Sequence, residues 1–152
     1  MPSNEGYAIS IGNECAANQL LATKYGLADL CVGALPSDSE WHHISVVFSE
    51  TGVVGYADGS VIGSSANTQN FITSTAPFLI GVNHAENNKF FDGLIDEVRI
   101  YNRALSPAEV KQLYLMGGGV KINDLNLEQG ESLLMFCRMS RNSVPCLSYM
   151  LE

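Results

Sequence analysis

A chain of 152 residues with 8 basic and 16 acidic side chains, a formal net charge of −8, has the length of one domain and can bury a real core. At 46% hydrophobic and 16% charged residues it is too apolar to remain disordered, and no basic stripe is present to neutralise phosphates. Nucleic acid is therefore not an expected partner, and anionic membrane surfaces are disfavoured for the same reason. No apolar run approaches the roughly 20 residues that cross a bilayer, so membrane insertion is not expected. The opening "MPSNEGYAIS" has neither a basic nor an apolar region, so no signal peptide is read there. The chain is expected to be intracellular or a piece of a longer secreted protein.

Short strands separated by turn residues fill most of the chain. "YAISIG" alternates, with Tyr7, Ile9 and Ile11 on one face. "WHHISVVF", residues 41–48, is apolar on both faces, the mark of a central strand. "VVGYADGSVIG" predicts a hairpin, because Asp58-Gly59 is a favoured two-residue turn between apolar flanks. "APFLIGV", residues 76–82, predicts a further strand before the polar loop "NHAENNK".

"GLIDEVRIYNRALSPAEV", residues 93–110, reads as a strand running into a capped helix. Strict alternation places Leu94, Asp96, Val98 and Ile100 on one face, and Ile95, Glu97, Arg99 and Tyr101 on the other. An aspartate in phase with an apolar stripe needs a reason, since an unpaired buried carboxylate is costly. Ser106 suits an N-cap, Pro107 the first turn and Glu109 a capping box, with Leu113 and Tyr114 on an apolar side and Gly117 as the stop. Beyond Gly119 the texture changes: a polar linker, an apolar run from Leu133 to Cys137, then a turn around Asn142 to Pro145. This tail reads as an added hairpin, a helix or an extension.

The four cysteines, Cys15, Cys31, Cys137 and Cys146, include no C-x-x-C and signal neither zinc nor redox chemistry. Free thiols are the simpler expectation. Many short strands with one helix give an all-β sandwich or barrel.

Three segments in order, "EWHHISVVFSETGVVGYADGSVIGS", "TAPFLIGVN" and "FFDGLIDEVRIYNRALSPAEVKQLY", resemble the laminin-G-like, pentraxin-like branch of the concanavalin-A-like lectin/glucanase superfamily. The resemblance covers residues 40–114, with 6–35 a less close fit as the preceding strands. It implies an all-β jelly-roll sandwich of two antiparallel sheets with one short helix after the closing strand. The domain is expected over residues 1–118, shortened at its beginning, followed by a C-terminal extension over 119–152. The strand that usually pairs with the closing strand has no counterpart before Tyr7. Residues 131–140 are expected to replace it, either in their own sheet or in a homodimer by strand exchange.

The glucanases of this superfamily carry E-x-D-x-E on one strand, which brings carboxylates together on one face. That triplet is absent here, and "GSVIG" has the wrong spacing for a serine nucleophile. A non-catalytic recognition module is therefore expected, its partner a glycan or a cell-surface protein. The alternative is a structural or protein–protein assembly module without sugar binding. The resemblance places the domain outside the cell or at its surface, as part of a longer protein.

His42 and His43 are neighbours on a strand and face opposite ways, so they cannot chelate one ion together, and hydrogen-bonded or core histidines are expected. Trp41 is a core residue in the family. The best candidate for ligand binding is the loop holding Asn83, His84, Glu86, Asn87 and Asn88, whose polar side chains suit hydroxyl groups; an ordinary solvated loop is the simpler account. For Asp96 the resemblance to jelly-roll glucanases implies one ligand of a structural Ca²⁺, the other ligands being mostly backbone carbonyls. The alternatives are a carboxylate bonded to backbone N–H groups or arginine, or a bulge that turns it outward.

Overall fold

The computed structural model describes residues 6–12, 15–24, 27–68, 78–82, 90–116 and 134–141, the last of these by their backbone. Strands β1 (Tyr7–Ile11), β2 (Gln19–Lys24) and β3 (Ala28–Ala34) form an antiparallel sheet in chain order. The second sheet holds β4 (His42–Ser49), β5 (Gly52–Ala57), β6 (Ser60–Ser65), β7 (Gly93–Tyr101) and β8 (Leu134–Arg141) in the order β6-β5-β4-β8-β7, again antiparallel. One short helix, α1 (Pro107–Leu115), follows β7. This is the two-sheet, mostly β architecture expected from the sequence.

The strand alternation fills the space between the sheets. Ile9, Ile11, Leu20 and Ala22 from one sheet meet Ile44, Val46, Phe48, Val53 and Ala57 from the other, with Tyr7 edge-on against Phe48. The opposite face of β4 is buried as well, because α1 lies over it: Val47 and Tyr56 pack with Leu105, Val110 and Leu113. That second layer explains why "HHISVVF" is apolar in both phases. Ser106 caps α1, its Oγ accepting from the Glu109 N–H while Glu109 Oε2 accepts from the Ser106 N–H. The Glu109 carboxylate also pairs with Arg103 at 2.6 Å, tying the cap to the end of β7.

On the β3 side the sandwich is pinched shut by glycine. A Cβ at Gly55 would lie 2.5 Å from the Val32 carbonyl oxygen and one at Gly63 2.8 Å from the same atom, while a Cβ at Gly33 would strike the Ile62 backbone. Side chains at these places would wedge β3 away from β5 and β6. The hairpin turn is as expected, Asp58 and Gly59 both taking positive φ, at 51° and 71°.

Three expectations are corrected. The segment 76–82 gives no strand among its described residues: Val82 makes a single bridge to Phe90. At Leu134–Arg141 the tail is a strand, β8, lying between β4 and β7. Cys15 and Cys31 are joined in a disulfide, their Cα atoms 5.8 Å apart.

The third correction concerns the closing strand. Asp96 pairs with Arg138 but Arg99 with Phe136, so β7 carries one residue more than β8 between these pairs. This is a β-bulge, with Glu97 at φ 54° and its N–H donating to Asp96 Oδ1 at 2.8 Å. The bulge shifts the phase of alternation. Ile95 and Val98 pack against the inter-sheet core, whereas Leu94 and Ile100 are 63% and 41% exposed. Asp96 is therefore turned into solvent and does not share a buried stripe with Val98.

Candidate functional site

β4 opens at one end of the sandwich, and its first residue shares the core-facing side with Ile44. There the imidazole of His42 stands between two carboxylates. Its Nδ1 is 2.8 Å from Asp58 Oδ2 and its Nε2 is 2.6 Å from Asp38 Oδ1. Each acid is placed by the backbone. Asp58 is the first residue of the β5–β6 turn, and the β4–β5 register sets it beside β4, where its N–H donates to the His43 carbonyl at 2.8 Å and its Oδ1 accepts the His43 N–H at 3.0 Å. Asp38 lies in the connection from β3 to β4, where its Oδ1 also accepts the Glu40 N–H at 3.0 Å. That connection is anchored in turn by Asn18, at φ 68°, whose Nδ2 donates to the Leu35 carbonyl at 2.5 Å.

Beside His42 a small open depression lies between the sheets, with a volume of about 20 Å³. Ile11, Leu35, Pro36 and Ile44 make its apolar floor, and Asp38, Glu40 and His42 its polar lip. Partial burial disfavours a charge on His42, but the hydrogen bonds to Asp38 and Asp58 outweigh it and raise the proton affinity above that of free imidazole. The same contact lowers the pKa of Asp38. While it is protonated and bonded at both nitrogens, the ring has no lone pair to act as nucleophile or general base. What the arrangement can do is hold carboxylate oxygens still over an apolar surface.

The sequence-predicted residues fall as follows. His42 and His43 do face opposite sides, His42 at the lip of the cleft and His43 beneath α1 with its ring 5.8 Å from that of Tyr114. Trp41, the residue before them, is 38% exposed. Asn83, His84, Glu86, Asn87 and Asn88 lie outside the described residues; Val82 and Phe90, which bracket them, are paired. His42, Met139 and Ile95 lie in one row across the sheet, so the chain enters β7 from Phe90 at the cleft's end of the sandwich. Asp96 stands at the bulge, remote in sequence from the β3–β4 lip, and among the described residues no three His, Cys, Asp or Glu side chains converge to hold a metal ion.

The clasp of Asp38, His42 and Asp58 was missed from sequence, although signals for both halves exist. Asp38 and His42 are four residues apart, and pairing β4 with β5 across the hairpin carries Asp58 to the start of β4. Neither is a metal or catalytic motif, so nothing drew the three together.

A family profile described as the concanavalin A-like lectin/glucanases superfamily, of laminin-G type, matches residues 2–111. The chain belongs to this superfamily. The match takes in every strand from β1 to β7 and the start of α1, and leaves β8 outside. It also reaches further toward the beginning than the resemblance at 40–114. Neither the curated proteins nor the solved structures gave a match. Laminin-G-like domains of the superfamily are generally non-catalytic binding modules.

Proposed function

We propose that this domain is a non-catalytic recognition module that binds a glycan at the cleft beside His42. The observation that carries the reading is the cleft itself, an apolar floor of Ile11, Leu35 and Ile44 under a lip of positioned carboxylates. Sugars present C–H faces and hydroxyl donors, which suit such a floor and such acceptors. Asn83, His84, Glu86, Asn87 and Asn88, which precede Phe90 in the sequence, are proposed as a second contact. The Cys15–Cys31 disulfide supports an oxidising compartment, hence a location outside the cell or at its surface.

A glycan-array screen of the full chain, with calcium and with chelator, tests this reading. The expected result is binding to a limited set of glycans that is lost in Asp38→Ala and in Glu40→Ala. A blank array, or binding indifferent to both substitutions, would remove the cleft as the ligand site.

A second reading, protein–protein assembly, is favoured by Leu94 and Ile100, 63% and 41% exposed on the outer strand β7, and by Phe90 just before it, 56% exposed. Apolar surface of this kind marks contact sites. A homodimer formed by exchange of β8 is the form this reading takes, and sedimentation over a range of concentrations tests it.

A further inference from the structure

Building on the recognition reading, we propose that His42 is a proton-operated clasp, tying the β3–β4 connection to the β5–β6 turn and so setting the shape of the cleft. The argument is one of donors. A protonated imidazole has two N–H groups, one for Asp58 at 2.8 Å and one for Asp38 at 2.6 Å. A neutral imidazole has a single N–H and turns a lone pair toward whichever carboxylate it does not serve. Both acids cannot then be kept.

The geometry decides which one leaves. Asp58 is fixed independently of His42, through its exchange of backbone and side-chain bonds with His43 and through Lys111 Nζ, which donates to its carbonyl at 3.4 Å. Its side chain is 32% exposed against 53% for Asp38. Asp38 sits on a connection rather than in a tight turn, and its remaining bond is to the nearby Glu40 N–H. Loss of the proton therefore releases Asp38 and leaves His42 bonded to Asp58.

The charged groups around His42 all bear on this switch. Asp38 and Glu40 face it from the β3–β4 connection and Asp58 from the β5–β6 turn, with Lys111 of α1 behind Asp58. The other sheet contributes Ile11, and the register partner on β8 is Met139, neither of which carries charge. With the clasp closed, Asp38 Oδ1 is occupied and the carboxylate is held in one orientation over the floor, ready for a ligand. With it open, the lip loses that orientation, and ligand affinity falls as the pH rises.

The test follows the imidazole of His42 and the backbone amides of Asp38, Glu40, Asp58 and Gly59 by NMR in the full chain, from about pH 5 to about pH 9. The Asp38 and Glu40 amides are expected to shift with the midpoint of the His42 ring, a midpoint above the 6.5 of free imidazole. In Asp38→Asn that midpoint should move down and the Glu40 amide should stop following it. Asp38 is exposed, so this variant leaves the core untouched, and His42→Gln should flatten the same amides. Amides of the β3–β4 connection that stay still while His42 titrates would overturn the clasp. Because this readout needs no ligand, co-titration with a blank glycan array would uphold the clasp and sink the recognition reading. An array hit whose affinity does not change across the His42 midpoint would overturn the clasp and leave the cleft as the site.

Discussion

His42 and His43 are consecutive on β4 and hold protons with opposite strength. His42 is bracketed by Asp38 and Asp58, which raise its proton affinity against the effect of burial. His43 points the other way, 6% exposed beneath α1, and burial pushes its pKa down to about 4 despite the charge of Asp58 nearby. One peptide bond separates a residue that favours the imidazolium from one that refuses it.

The two make opposite contributions to stability. Below 6.5 the unfolded chain takes up a proton that folded His43 declines, so stability falls as the pH drops from 6.5 to about 4. The gap corresponds to about 3 kcal/mol at full development. His42 works in the other sense: its contribution is complete below 6.5 and is lost as the pH rises through its elevated folded value. Urea unfolding at about pH 7 and about pH 4.5 should therefore show an acid loss that His43→Phe largely removes. An acid loss of the same size in His43→Phe as in the wild type would mean that His43 is hydrated or paired in the folded state.

The disulfide is the next point of attack. Cys15 and Cys31 are separated by 16 in sequence and fasten the β1–β2 connection to β3. A closed loop of that size restricts the unfolded chain by about 3 kcal/mol. Cys15→Ser with Cys31→Ser, or reduction of the native chain, should lower the melting temperature by several degrees. A melt unchanged by reductant would show that the two thiols are not joined in solution.

These residues show what the sequence could and could not reveal. Local patterns were legible: the alternation of "YAISIG", the double apolar phase of "HHISVVF", the Asp58-Gly59 turn and the Ser106–Glu109 box each depend on near neighbours. The phase of β7 was not, since a bulge at Glu97 leaves no mark in an otherwise regular alternation and appears only when β7 is laid against β8. The disulfide and the Asp38–His42–Asp58 clasp were hidden for the same reason. Each joins residues through strand pairing or loop placement, and spacing alone does not fix either.

Gly55 offers a packing test. Its hydrogen faces the Val32 carbonyl, and a methyl group there would lie 2.5 Å from that oxygen and 3.0 Å from the Val32 side chain. Main chain on both sides leaves little room to adjust, so Gly55→Ala should destabilise by about 1–3 kcal/mol, the usual range for overpacking. Retained stability, measured by urea unfolding, would mean that β3 can move off β5 without loss.

Asp96 has a role that needs no ion: its Oδ1 accepts the N–H of Glu97, whose backbone holds the strained φ of 54°. Asp96→Asn keeps an acceptor and should melt like the wild type, whereas Asp96→Ala should lose about 1 kcal/mol. On this account melts in calcium and in chelator coincide. A chelator-sensitive melt that disappears in Asp96→Asn would restore the calcium that the family resemblance implies.

The strand β8 carries the last prediction. It is the strand that ties β7 to the sheet, pairing with β4 from His42 to Val47 on one side and with β7 from Gly93 to Tyr101 on the other. Without it β4 would present a bare edge and β7 would be left with no strand partner among the described residues, taking Ile95 and Val98 from the core. The described residues on either side of 117–133 lie at opposite ends of the sheet: Tyr114 is by His43, while Leu134 pairs with Val47 and Tyr101. At about 3.3 Å per extended residue, the intervening 117–133 is long enough for that crossing and also long enough to deliver β8 to a second copy. Truncation after Gly118 should therefore produce a protein that aggregates or loses its cooperative melt, and adding a peptide of residues 131–141 should restore folding in part. Light scattering and thermal melts decide the matter: a soluble truncated monomer with an unchanged transition would show that β8 adds nothing to the fold.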